Sequence, residues 1–478
     1  MIDVAIIGGG IIGAATAYRL SQYKLNVALF EKENDIATGA TRANSAIIHA
    51  GYDPKPGTLM ARLNVAGAAM TEQLCADLDV EFDKIGSLVL AFSQEELQTI
   101  HQLYERGVQN GLTDQRLLNA EEVHRMEPEI SDRVLGALYA PSAGIINPWE
   151  YALAMAETAA VNGASVYLEH KVTAIISEGS YYRLITDKGD YEARYVINAA
   201  GTASDVVHNM IAAPTFCVKP SRGEYYLMDK AEGSRAKHVL FQCPSSLGKG
   251  VLVSPTVGGN LIVGPTAIST QDADGVGTTA DGLESIRAIA AKSIPTINYR
   301  HTIRTFAGVR ANTDKDDFII EEAAPRFIDL AGIKSPGLSS APAIALEAAE
   351  LLRKAGLELT VKSAAVTKRR RIRFSKLSPD EKAEVIRQNP LYGRVICRCE
   401  TITEGEIVDA IHSPIPPRTV DGVKRRTGAG LGRCQGGFCG PRVLEILARE
   451  LNVSPLDILK DTAGSYILSE ETKKGEQQ

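Results

Sequence analysis

The chain has 478 residues, a net charge of -6, and ordinary proportions of hydrophobic (44%) and charged (23%) residues. These values are typical of a soluble globular protein of about three domains, and they exclude the global basic field of a nucleic-acid-binding protein. No stretch of about 18 or more apolar residues predicts a membrane-spanning helix, and no secretory signal pattern precedes the first strand. We therefore expect a cytoplasmic protein whose thiols stay reduced.

The N-terminal region follows the pattern of a βαβ unit. Residues 4–7 form an apolar run that predicts a buried strand, a helical pattern covers about 12–21, and a second apolar run extends from 25 to 30. A strand, a helix and a second strand in this order predict two parallel strands joined by a crossover helix.

A glycine motif separates the first strand from the helix. Gly8, Gly10 and Gly13 fit the pattern G-x-G-x-x-G, and Glu31 follows the second strand at the spacing of a ribose ligand. The first glycine permits a tight turn, the second lets the backbone approach a pyrophosphate, and the third allows close packing of helix on strand. Because the helix directs its free N–H groups at the phosphates, the sequence predicts a dinucleotide site here.

Helical and strand patterns follow along the rest of the chain. The segment 37–57 is rich in Gly, Ala and Thr, which predicts an ordered loop or a broken helix. Further helices are predicted at about 58–80, 94–110, 149–162 and 342–354, strands within 134–150, 165–176, 182–201, 223–229, 250–256, 260–266, 304–312, 318–322 and 327–333, and a hairpin turn at 188–190. Ser378 and Glu381 have the spacing of a capping box that opens another helix.

Three separate segments favour FAD over NAD as the dinucleotide. The strand at 195–201 ends in small residues, which suit a close pass by the cofactor, and the segment 170–175 lies where a strand edge would meet an adenine. The segment 332–342 places glycines and serines before a helix. A helix N-terminus at that point would face the flavin and stabilise negative charge on its reduced form.

From about residue 1 to about residue 360 the chain resembles the FAD-dependent oxidoreductase superfamily of D-amino acid oxidase and the flavin-linked glycerol-3-phosphate dehydrogenases. The motifs that carry the resemblance are TGATRANSAIIHAG at 38–51, NAAG at 198–201 and AGVR at 307–310. The resemblance implies an α/β fold (α+β overall), in which a Rossmann-type FAD-binding domain is interleaved with an antiparallel-sheet substrate domain. It implies non-covalent FAD held by Gly8, Gly10, Ile12, Gly13, Glu31, Lys32, Thr38, Gly39, Thr41, Ser45, Ile47, Val172, Ala200, Gly201, Gly308, Gly337, Leu338 and Ser339.

In this family the substrate lies over the flavin, between the two domains. The resemblance places five residues there: His49, Tyr52, Arg222, Arg310 and Lys334. His49 would accept the hydroxyl proton as hydride leaves the neighbouring carbon, and the alternative is a histidine that only bonds flavin or backbone. Arg310 offers its guanidinium fork to a carboxylate or phosphate, and the alternative is a surface salt bridge. Lys334 matches a lysine of the glycerol-3-phosphate dehydrogenases and would also stabilise anionic reduced flavin.

Four of the seven cysteines lie near the C-terminus. Cys397 and Cys399 form a C-x-C pair, and Cys434 and Cys439 form a C-x4-C pair in a glycine-rich segment. Four thiolates on two loops suit a [2Fe–2S] cluster or a tetrahedral zinc. Residues 393–460 resemble the bacterioferritin-associated ferredoxin-like [2Fe–2S] module, which favours the cluster over zinc.

These features divide the chain into five parts. We expect an FAD-binding domain at 1–80, 140–211 and 300–365, a substrate domain at 81–139 and 212–299, a linker at 366–392, a small helical [2Fe–2S] module at 393–465, and a polar tail at 466–478. The linker contains the basic run 368–373, which is either a surface that docks the module or a partner subunit, or a solvated face.

The resemblance implies an FAD-dependent dehydrogenase of an anionic secondary alcohol, with sn-glycerol 3-phosphate as the leading substrate. The cluster would carry electrons one at a time to a second flavoprotein or another electron-transfer subunit. The loop sequence at 49–57 is closer to the L-2-hydroxyglutarate dehydrogenases, so a 2-hydroxy acid is an alternative substrate. An amine or amino acid oxidase subunit and an iron-handling binding protein are further alternatives. We expect no nucleic-acid partner, and a membrane association only through a partner.

Overall fold

The computed structural model describes residues 1–244 and 250–472, so residues 245–249 of the predicted substrate domain and 473–478 of the predicted tail lie outside the described residues. Within these ranges the helices are α1 Ile11–Leu20, α2 Leu59–Leu78, α3 Gln94–Gln109, α4 Ala120–Met126, α5 Pro148–Val161, α6 Ser204–His208, α7 Ala280–Ala290, α8 Gly337–Lys354, α9 Pro379–Gln388, α10 Glu404–Ile411, α11 Val420–Thr427 and α12 Gly440–Leu451. The strands are β1 Ile2–Ile7, β2 Val27–Phe30, β3 Ile47–Ile48, β4 Phe82–Asp83, β5 Ser87–Ala91, β6 Arg116–Asn119, β7 Gly136–Ala140, β8 Gly144–Ile146, β9 Ser165–Tyr167, β10 Val172–Ser177, β11 Tyr182–Thr186, β12 Gly189–Asn198, β13 Ser221–Met228, β14 Val239–Gln242, β15 Leu252–Pro255, β16 Leu261–Gly264, β17 Ile268–Ser269, β18 Thr302–Arg310, β19 Ile319–Ala324, β20 Phe327–Ala331, β21 Val395–Cys397 and β22 Ile402–Thr403.

The first large sheet has a parallel core in the order β9-β2-β1-β12-β20. Two antiparallel additions complete it: β19 pairs with β20, and β11 pairs with the first half of β12 and carries β10 on its other side. Val4, Ala5 and Ile6 of β1 are wholly buried, as expected for a central parallel strand covered on both faces. Helices α1, α5 and α8 pack together on this sheet. Because β1 and β12 are parallel neighbours, their carboxyl ends meet at one edge of the sheet.

The second large sheet is built mainly from antiparallel strands in the order β17-β13-β16-β15-β14-β5-β7-β6, and β18 lies along the other side of β13. Strand β18 runs from Thr302 to Arg310 beside the whole of β13, although the predicted boundary at residue 300 assigned it to the FAD-binding domain. Helix α7, which the sequence patterns did not predict, buries Ile286 and Ala290 against this sheet.

Helix α8 begins at Gly337, five residues before its predicted start at about Pro342. A proline suits the first position of a helix, and for that reason Pro342 indicated the start. The proline instead lies inside the helix, where it removes one backbone hydrogen bond. Close packing accompanies this irregular start, since a Cβ on Gly67 of α2 would lie 2.2 Å from the Ser339 carbonyl oxygen.

The C-terminal module has its own apolar core. Helices α10, α11 and α12 surround Ile407, Val423 and Leu447, which are wholly buried. The predicted capping box of Ser378 and Glu381 is present at the start of α9 in the linker. None of the helices among the described residues combines the length and apolar character that crossing a membrane requires.

The basic run 368–373 lies against acidic side chains of the first part of the chain. Arg369 pairs with Glu157 of α5 at 2.8 Å, and Arg371 and Arg373 both pair with Glu150 of the same helix at 2.7 Å. These three arginines are mostly buried, so the interpretation of the run as a solvated face is wrong for them. The run connects the linker to the FAD-binding sheet's helical layer.

Candidate active site

The glycine turn after β1 has the close approaches that its motif requires. Gly8 has a φ of +110°, and a Cβ there would lie 2.3 Å from the Ala199 carbonyl oxygen at the end of β12. A Cβ on Gly13 would lie 1.9 Å from the carbonyl oxygen of Gly8, so Gly13 lets α1 pack on the turn rather than contact a ligand. The turn therefore brings the N-terminus of α1 to the sheet edge at which β1 and β12 end.

Glu31 holds the same turn from the second strand. Its carboxylate accepts hydrogen bonds from the amides of Gly9 at 2.7 Å and Glu33 at 2.9 Å. Burial raises the pKa of the Glu31 carboxyl, and the two amides oppose that effect. Thr41 of the following loop accepts a bond from the amide of Ile11 at 3.0 Å, which supplies a neutral partner to the start of α1.

A cavity of about 1960 Å³ extends from this turn between the two large sheets and the C-terminal module. Ligand sites commonly measure about 300–1,000 Å³, so this space is large enough for a whole dinucleotide. Of the predicted cofactor residues, its lining includes Gly8, Gly10, Ile12, Glu31, Lys32, Thr38, Gly39, Thr41, Val172, Ala200, Gly201 and Gly308. The other predicted cofactor residues, which lie outside that lining, are Gly13, Ser45, Ile47, Gly337, Leu338 and Ser339.

The loop that borders the cavity, residues 37–57, is held by contacts of Ser45, of Gly308 and of Ser339. Ser339 of α8 accepts a hydrogen bond from the His49 amide at 2.8 Å, and Ser45 bonds the hydroxyl of Tyr225 at 3.0 Å. A Cβ on Gly308 of β18 would lie 1.9 Å from the Ala43 carbonyl oxygen, so this strand passes directly against the loop. Three separate elements therefore fix the loop's position: α8, β13 and β18.

His49 is half-buried and held at several points. Its ring stacks on Phe241 with centroids 5.6 Å apart, and its Nε2 lies 3.3 Å from the Ser335 hydroxyl. Its carbonyl oxygen accepts a hydrogen bond from the Asn64 amide group at 2.7 Å. His49 and Tyr52 also line a small second pocket beside Pro336. Tyr52 is buried, and burial raises the pKa of its hydroxyl.

The two predicted arginines of the site differ in their partners. Arg310 donates to the Thr266 carbonyl oxygen at 3.1 Å and the Ser221 hydroxyl at 3.4 Å, and no carboxylate of the described residues pairs with it. Arg222, on the neighbouring strand, lies 3.1 Å from the buried carboxylate of Glu224. Arg310 thus keeps a positive charge that neutral acceptors do not balance, whereas the charge of Arg222 is balanced.

Lys334 lies on the segment before α8, on the same side as His49. Its ammonium group donates to the Lys315 carbonyl oxygen at 3.2 Å. The peptide amide of Lys334 bonds the Gly332 carbonyl, and the Lys334 carbonyl accepts from Gly337, so the turn at 332–337 is closed on itself. The lysine is half-buried and carries no carboxylate partner among the described residues.

The four clustered cysteines form two cross-pairs. The sulfurs of Cys399 and Cys434 are 3.8 Å apart, and the thiols of Cys397 and Cys439 are hydrogen-bonded to each other. The amides of Gly436, Gly437 and Phe438 donate to the Cys434 sulfur, and those of Gly430 and Glu400 donate to the Cys397 sulfur. The Cys439 thiol, more than the amides, lowers the pKa of Cys397.

This donor set fits a [2Fe–2S] cluster better than a single metal ion. In the described part of the chain, no three His, Cys, Asp or Glu side chains are gathered closely enough to hold one ion. Two pairs of thiols match two irons, whereas tetrahedral zinc needs four ligands around one centre. The amides directed at the sulfurs would offset the negative charge of a cluster.

The module reaches the dinucleotide cavity. Cys399, Thr401 and Leu431 line the same cavity as the glycine turn. Arg425 and Arg426 of α11 both bond Asp35, which lies in the chain between Glu31 and the loop that borders the cavity. This contact was not predicted from the sequence. Arg425 and Arg426 are adjacent basic residues, but nothing in the sequence indicated their partner.

Two family models match the chain, "FAD dependent oxidoreductase" over residues 3–351 and "BFD-like [2Fe-2S] binding domain" over residues 395–449. The chain belongs to the FAD dependent oxidoreductase family. It therefore binds FAD, and its C-terminal module is a [2Fe–2S] binding domain.

Relatives of this family cover different shares of the chain. A glycerol 3-phosphate dehydrogenase of Caloramator mitchellensis is 52% identical and matches 99% of both chains. The FAD-bound L-alpha-glycerophosphate oxidase of Mycoplasma pneumoniae has a TM-score of 0.73 at 33% identity, over 77% of this chain and 98% of its own. An L-2-hydroxyglutarate dehydrogenase of Indibacter alkaliphilus is 33% identical over 56% of this chain and 68% of its own. Of these three, the Caloramator enzyme matches nearly the full length of the chain, and the other two match 77% and 56% of it.

Proposed function

We propose that this flavoprotein is a glycerol-3-phosphate dehydrogenase, which oxidises sn-glycerol 3-phosphate to dihydroxyacetone phosphate. The observation that carries the proposal is the 52% identity to a glycerol 3-phosphate dehydrogenase over 99% of both chains, since that match includes the cysteine module. When bound, FAD supplies a two-electron hydride acceptor and the [2Fe–2S] cluster a one-electron carrier.

Arg310 is proposed to bind the phosphate of the substrate. Its guanidinium is held by two neutral oxygens, those of Thr266 and Ser221, which fix its direction without balancing its charge. A fork of parallel N–H donors suits phosphate oxygens. Arg222 is proposed to support this site indirectly, because its pairing with Glu224 fixes the strand next to Arg310.

His49 is proposed to take the proton from the substrate hydroxyl. Its amide is bonded to Ser339 and its ring is stacked on Phe241, so the imidazole has a fixed position on the loop that borders the cavity. An imidazole has an ordinary pKa close to neutrality, which suits a general base. Tyr52 is proposed as a polar contact of the substrate in the small pocket that His49 also lines, and Lys334 as a cation on the segment before α8 that would contact the substrate.

Cys397, Cys399, Cys434 and Cys439 are proposed as the cluster ligands. The cavity that includes the glycine turn also includes Cys399, so this proposed ligand lies beside the FAD-binding space. We propose that electrons leave the enzyme through this module to a separate electron-transfer protein.

A second candidate is an L-2-hydroxyglutarate dehydrogenase. Arg310 would bind a carboxylate as well as a phosphate, and an enzyme of that name is 33% identical over 56% of this chain. Its match leaves out much of the chain, which is why we rank glycerol 3-phosphate first.

The test is an anaerobic titration of the purified holoprotein with sn-glycerol 3-phosphate and, separately, with L-2-hydroxyglutarate and D-alanine. The proposal expects bleaching of the flavin absorbance band by sn-glycerol 3-phosphate alone at micromolar to millimolar concentrations. Bleaching by L-2-hydroxyglutarate would favour the second candidate, and bleaching by D-alanine would favour an amino acid oxidase.

A further inference from the structure

Two ion pairs join the cysteine loops of the module to the short segment that follows β13. Arg433, one residue before the C-x4-C pair, donates through Nε and Nη2 to the two carboxylate oxygens of Asp229 at 2.9 and 2.8 Å. Glu400, one residue after the C-x-C pair, accepts from the ammonium group of Lys230 at 2.9 Å. Two neighbouring residues beside the second large sheet therefore contact both cysteine loops.

Arg433 differs from other arginines near the cysteines in the location of its partner. Arg394 pairs with Glu404, and Arg442 pairs with Glu445, so both of these pairs lie within the module. The partner of Arg433 lies 204 residues earlier in the chain, at the end of a strand of the second large sheet. The pairing of Arg433 therefore joins two parts of the molecule and is not a local interaction of the module.

Asp229 is held in place from its own side of this contact. Its carboxylate also accepts a hydrogen bond from the amide of Ala231 at 3.0 Å, and its own amide donates to the carbonyl oxygen of His301 at 2.8 Å. The Asp229 side chain is 10% exposed, whereas that of Arg433 is 74% exposed. The arginine thus reaches from the module to a carboxylate whose position other bonds already fix.

The two cysteine loops touch each other where these pairs form. A Cβ on Gly432 would lie 2.3 Å from the Cβ of Cys399 and 2.7 Å from Oε1 of Glu400. The close approach that Gly432 permits brings the base of one loop and the acid of the other to the same edge of the module. The two loops therefore meet the second large sheet together.

The order of the charges specifies one alignment of this contact. Asp229 and Lys230 are an acid followed by a base, and they meet the base Arg433 and the acid Glu400. A shift by one residue would bring like charges together, which is unfavourable across an interface. An isolated exposed ion pair contributes little to stability, whereas two crossed pairs on adjacent residues select a single position.

This contact is a second anchor for the module. The first anchor is the buried network in which Arg425 and Arg426 of α11 bond Asp35, which follows β2 of the first large sheet. One anchor leaves a module free to rotate about it, and an anchor on another sheet removes that freedom. Cys399 and Glu400 line the cavity that includes the glycine turn. The second anchor therefore fixes the edge of the module that faces the FAD-binding space.

We propose that the pairs Asp229–Arg433 and Lys230–Glu400 are positioning residues for electron transfer from FAD to the cluster. The inference rests on the proposed function, because it assumes that the cluster takes its electrons from FAD. In this step one electron leaves the reduced FAD and converts one ferric iron of the cluster to ferrous, with no bond formed or broken. The second electron, with the proton left on the flavin, leaves after the cluster has passed the first to an external one-electron acceptor such as ferricyanide.

The role of the four side chains is to keep the cysteine edge at one distance from the FAD-binding space. Electron transfer slows steeply as two centres move apart, and a site whose supporting contacts are loose loses function. None of the four is a proposed cluster ligand. Their loss should therefore slow electron transfer while flavin and iron contents stay as in the wild type.

The test uses the full-length holoprotein and reduces its bound flavin with a laser flash, with EDTA as the electron donor, so that no substrate is needed. Reduction of the cluster is then followed by absorbance and by electron paramagnetic resonance of frozen samples. Lys230→Glu places two carboxylates opposite each other and should slow reduction of the cluster by about tenfold or more. Glu400→Lys should have a similar effect, and the double variant with both changes should recover most of the wild-type rate.

Hydrogen exchange tests the same contact without electron transfer. In the oxidised protein, peptides that cover 398–401 and 432–437 should exchange faster in Lys230→Glu than in the wild type, and the double variant should return to the wild-type rate. Arg433→Gln should also speed the exchange of these peptides. Arg433→Lys should have a smaller effect, because it keeps the charge and loses the two-point geometry.

Matched controls are Arg442→Glu, whose partner lies within the module, and Lys84→Glu, which reverses an exposed lysine paired with Glu72. All variants are compared at equal flavin and iron contents. Unchanged rates in Lys230→Glu and Glu400→Lys, a double variant no faster than the single ones, or a wild-type cluster that photoreduced flavin never reduces would overturn the proposal. Flavin that sn-glycerol 3-phosphate does not bleach, in a protein whose charge-swap recovery is intact, would instead count against the proposed function alone.

Discussion

Arg426 of the cysteine module and Asp35 of the FAD-binding part form a two-point ion pair, with 2.8 Å from Nη2 to Oδ1 and 2.9 Å from Nη1 to Oδ2. Arg425 adds two further hydrogen bonds to Oδ2 of the same carboxylate, and all three side chains are almost fully buried. Asp461 extends the contact by pairing with both Arg42 and Arg425. The module is thus joined to the loop that borders the FAD space by a charge network whose centre, Asp35 with Arg425 and Arg426, is almost fully buried.

We expect Asp35→Asn to destabilise the contact by about 3 kcal/mol, because it removes the carboxylate that two buried guanidinium groups share and leaves them only Asp461 and Glu157 as anions. The chain has a single tryptophan, Trp149, which lines the cavity at the start of α5 and can report on unfolding in urea. Glu347→Gln is the matched control, since Glu347 pairs with Arg62 in an exposed position and should contribute about 1 kcal/mol or less. Equal unfolding curves for Asp35→Asn and wild type would contradict this role.

The same contact predicts a pH dependence. Asp35 is desolvated, but Arg426 and Arg425 hold the pKa of its carboxyl below the ordinary value of 3.8. A carboxyl whose pKa is lower in the folded state stabilises the fold above its unfolded pKa, and this stabilisation is lost as the pH falls through the folded pKa. The difference in free energy of unfolding between wild type and Asp35→Asn should therefore be constant from about pH 5 to 7 and narrow below about pH 4. A difference in free energy of unfolding that stays constant down to pH 2 would contradict this explanation.

Gly8→Ala should abolish FAD binding. The new methyl group would lie 2.3 Å from the Ala199 carbonyl oxygen, and the backbone φ of +110° is one that L side chains rarely adopt. Flavin content per protein, measured by absorbance after purification, is the readout. Gly277→Ala serves as control because a Cβ there meets no atom within 4 Å and its φ is not in the left-handed range. A Gly8→Ala protein with full flavin content would show that this turn does not carry the cofactor.

Arg310→Ala should raise the KM for sn-glycerol 3-phosphate by at least about 30-fold, which corresponds to the loss of about 2 kcal/mol from one charged hydrogen-bonded partner. Flavin content should stay unchanged, because Arg310 lies outside the cavity lining. Arg310→Lys should recover part of the loss, since it keeps the charge and loses the fork. Arg287→Ala on α7, an exposed arginine paired with Glu284, should leave the KM as in wild type. An unchanged KM in Arg310→Ala would remove this residue from the substrate site.

Cys434→Ser should lower iron and acid-labile sulfide together, while flavin bleaching by substrate continues. The serine removes one sulfur from the exposed pair with Cys399. Cys217→Ser changes an exposed cysteine far along the chain from the cluster motif and should keep full iron. Zinc in the wild-type protein without sulfide would contradict the cluster and favour the alternative occupant.

The βαβ unit and its glycine turn could be predicted from sequence because their residues are neighbours in the chain. Gly8 and Gly13 lie in one turn, and their spacing alone specifies the backbone that the structure shows. The capping box of Ser378 and Glu381 is local in the same way. The four cysteines were recognisable for the same reason, because two short motifs contain all of them.

Contacts between segments that are distant in the chain could not be predicted from the sequence. Helix α8 begins five residues before Pro342, and its first turn packs closely against Gly67 of α2, a residue about 270 positions earlier that the local sequence could not indicate. The partner of Arg425 and Arg426, Asp35, lies 390 and 391 residues earlier in the chain. Nothing in either local sequence indicates that pairing, and burial of the charges follows only from the packing of α11 against the FAD-binding part.

The most direct test of the account is rapid mixing of the oxidised holoprotein with sn-glycerol 3-phosphate under anaerobic conditions, with the flavin followed by absorbance and the cluster by electron paramagnetic resonance of frozen samples. We predict flavin bleaching, followed by a paramagnetic resonance signal of the reduced [2Fe–2S] cluster. This signal should approach one spin per protein in the wild type and be absent in Cys434→Ser. Flavin that stays oxidised, or flavin that bleaches in a protein whose cluster never becomes reduced even with excess substrate, would contradict it.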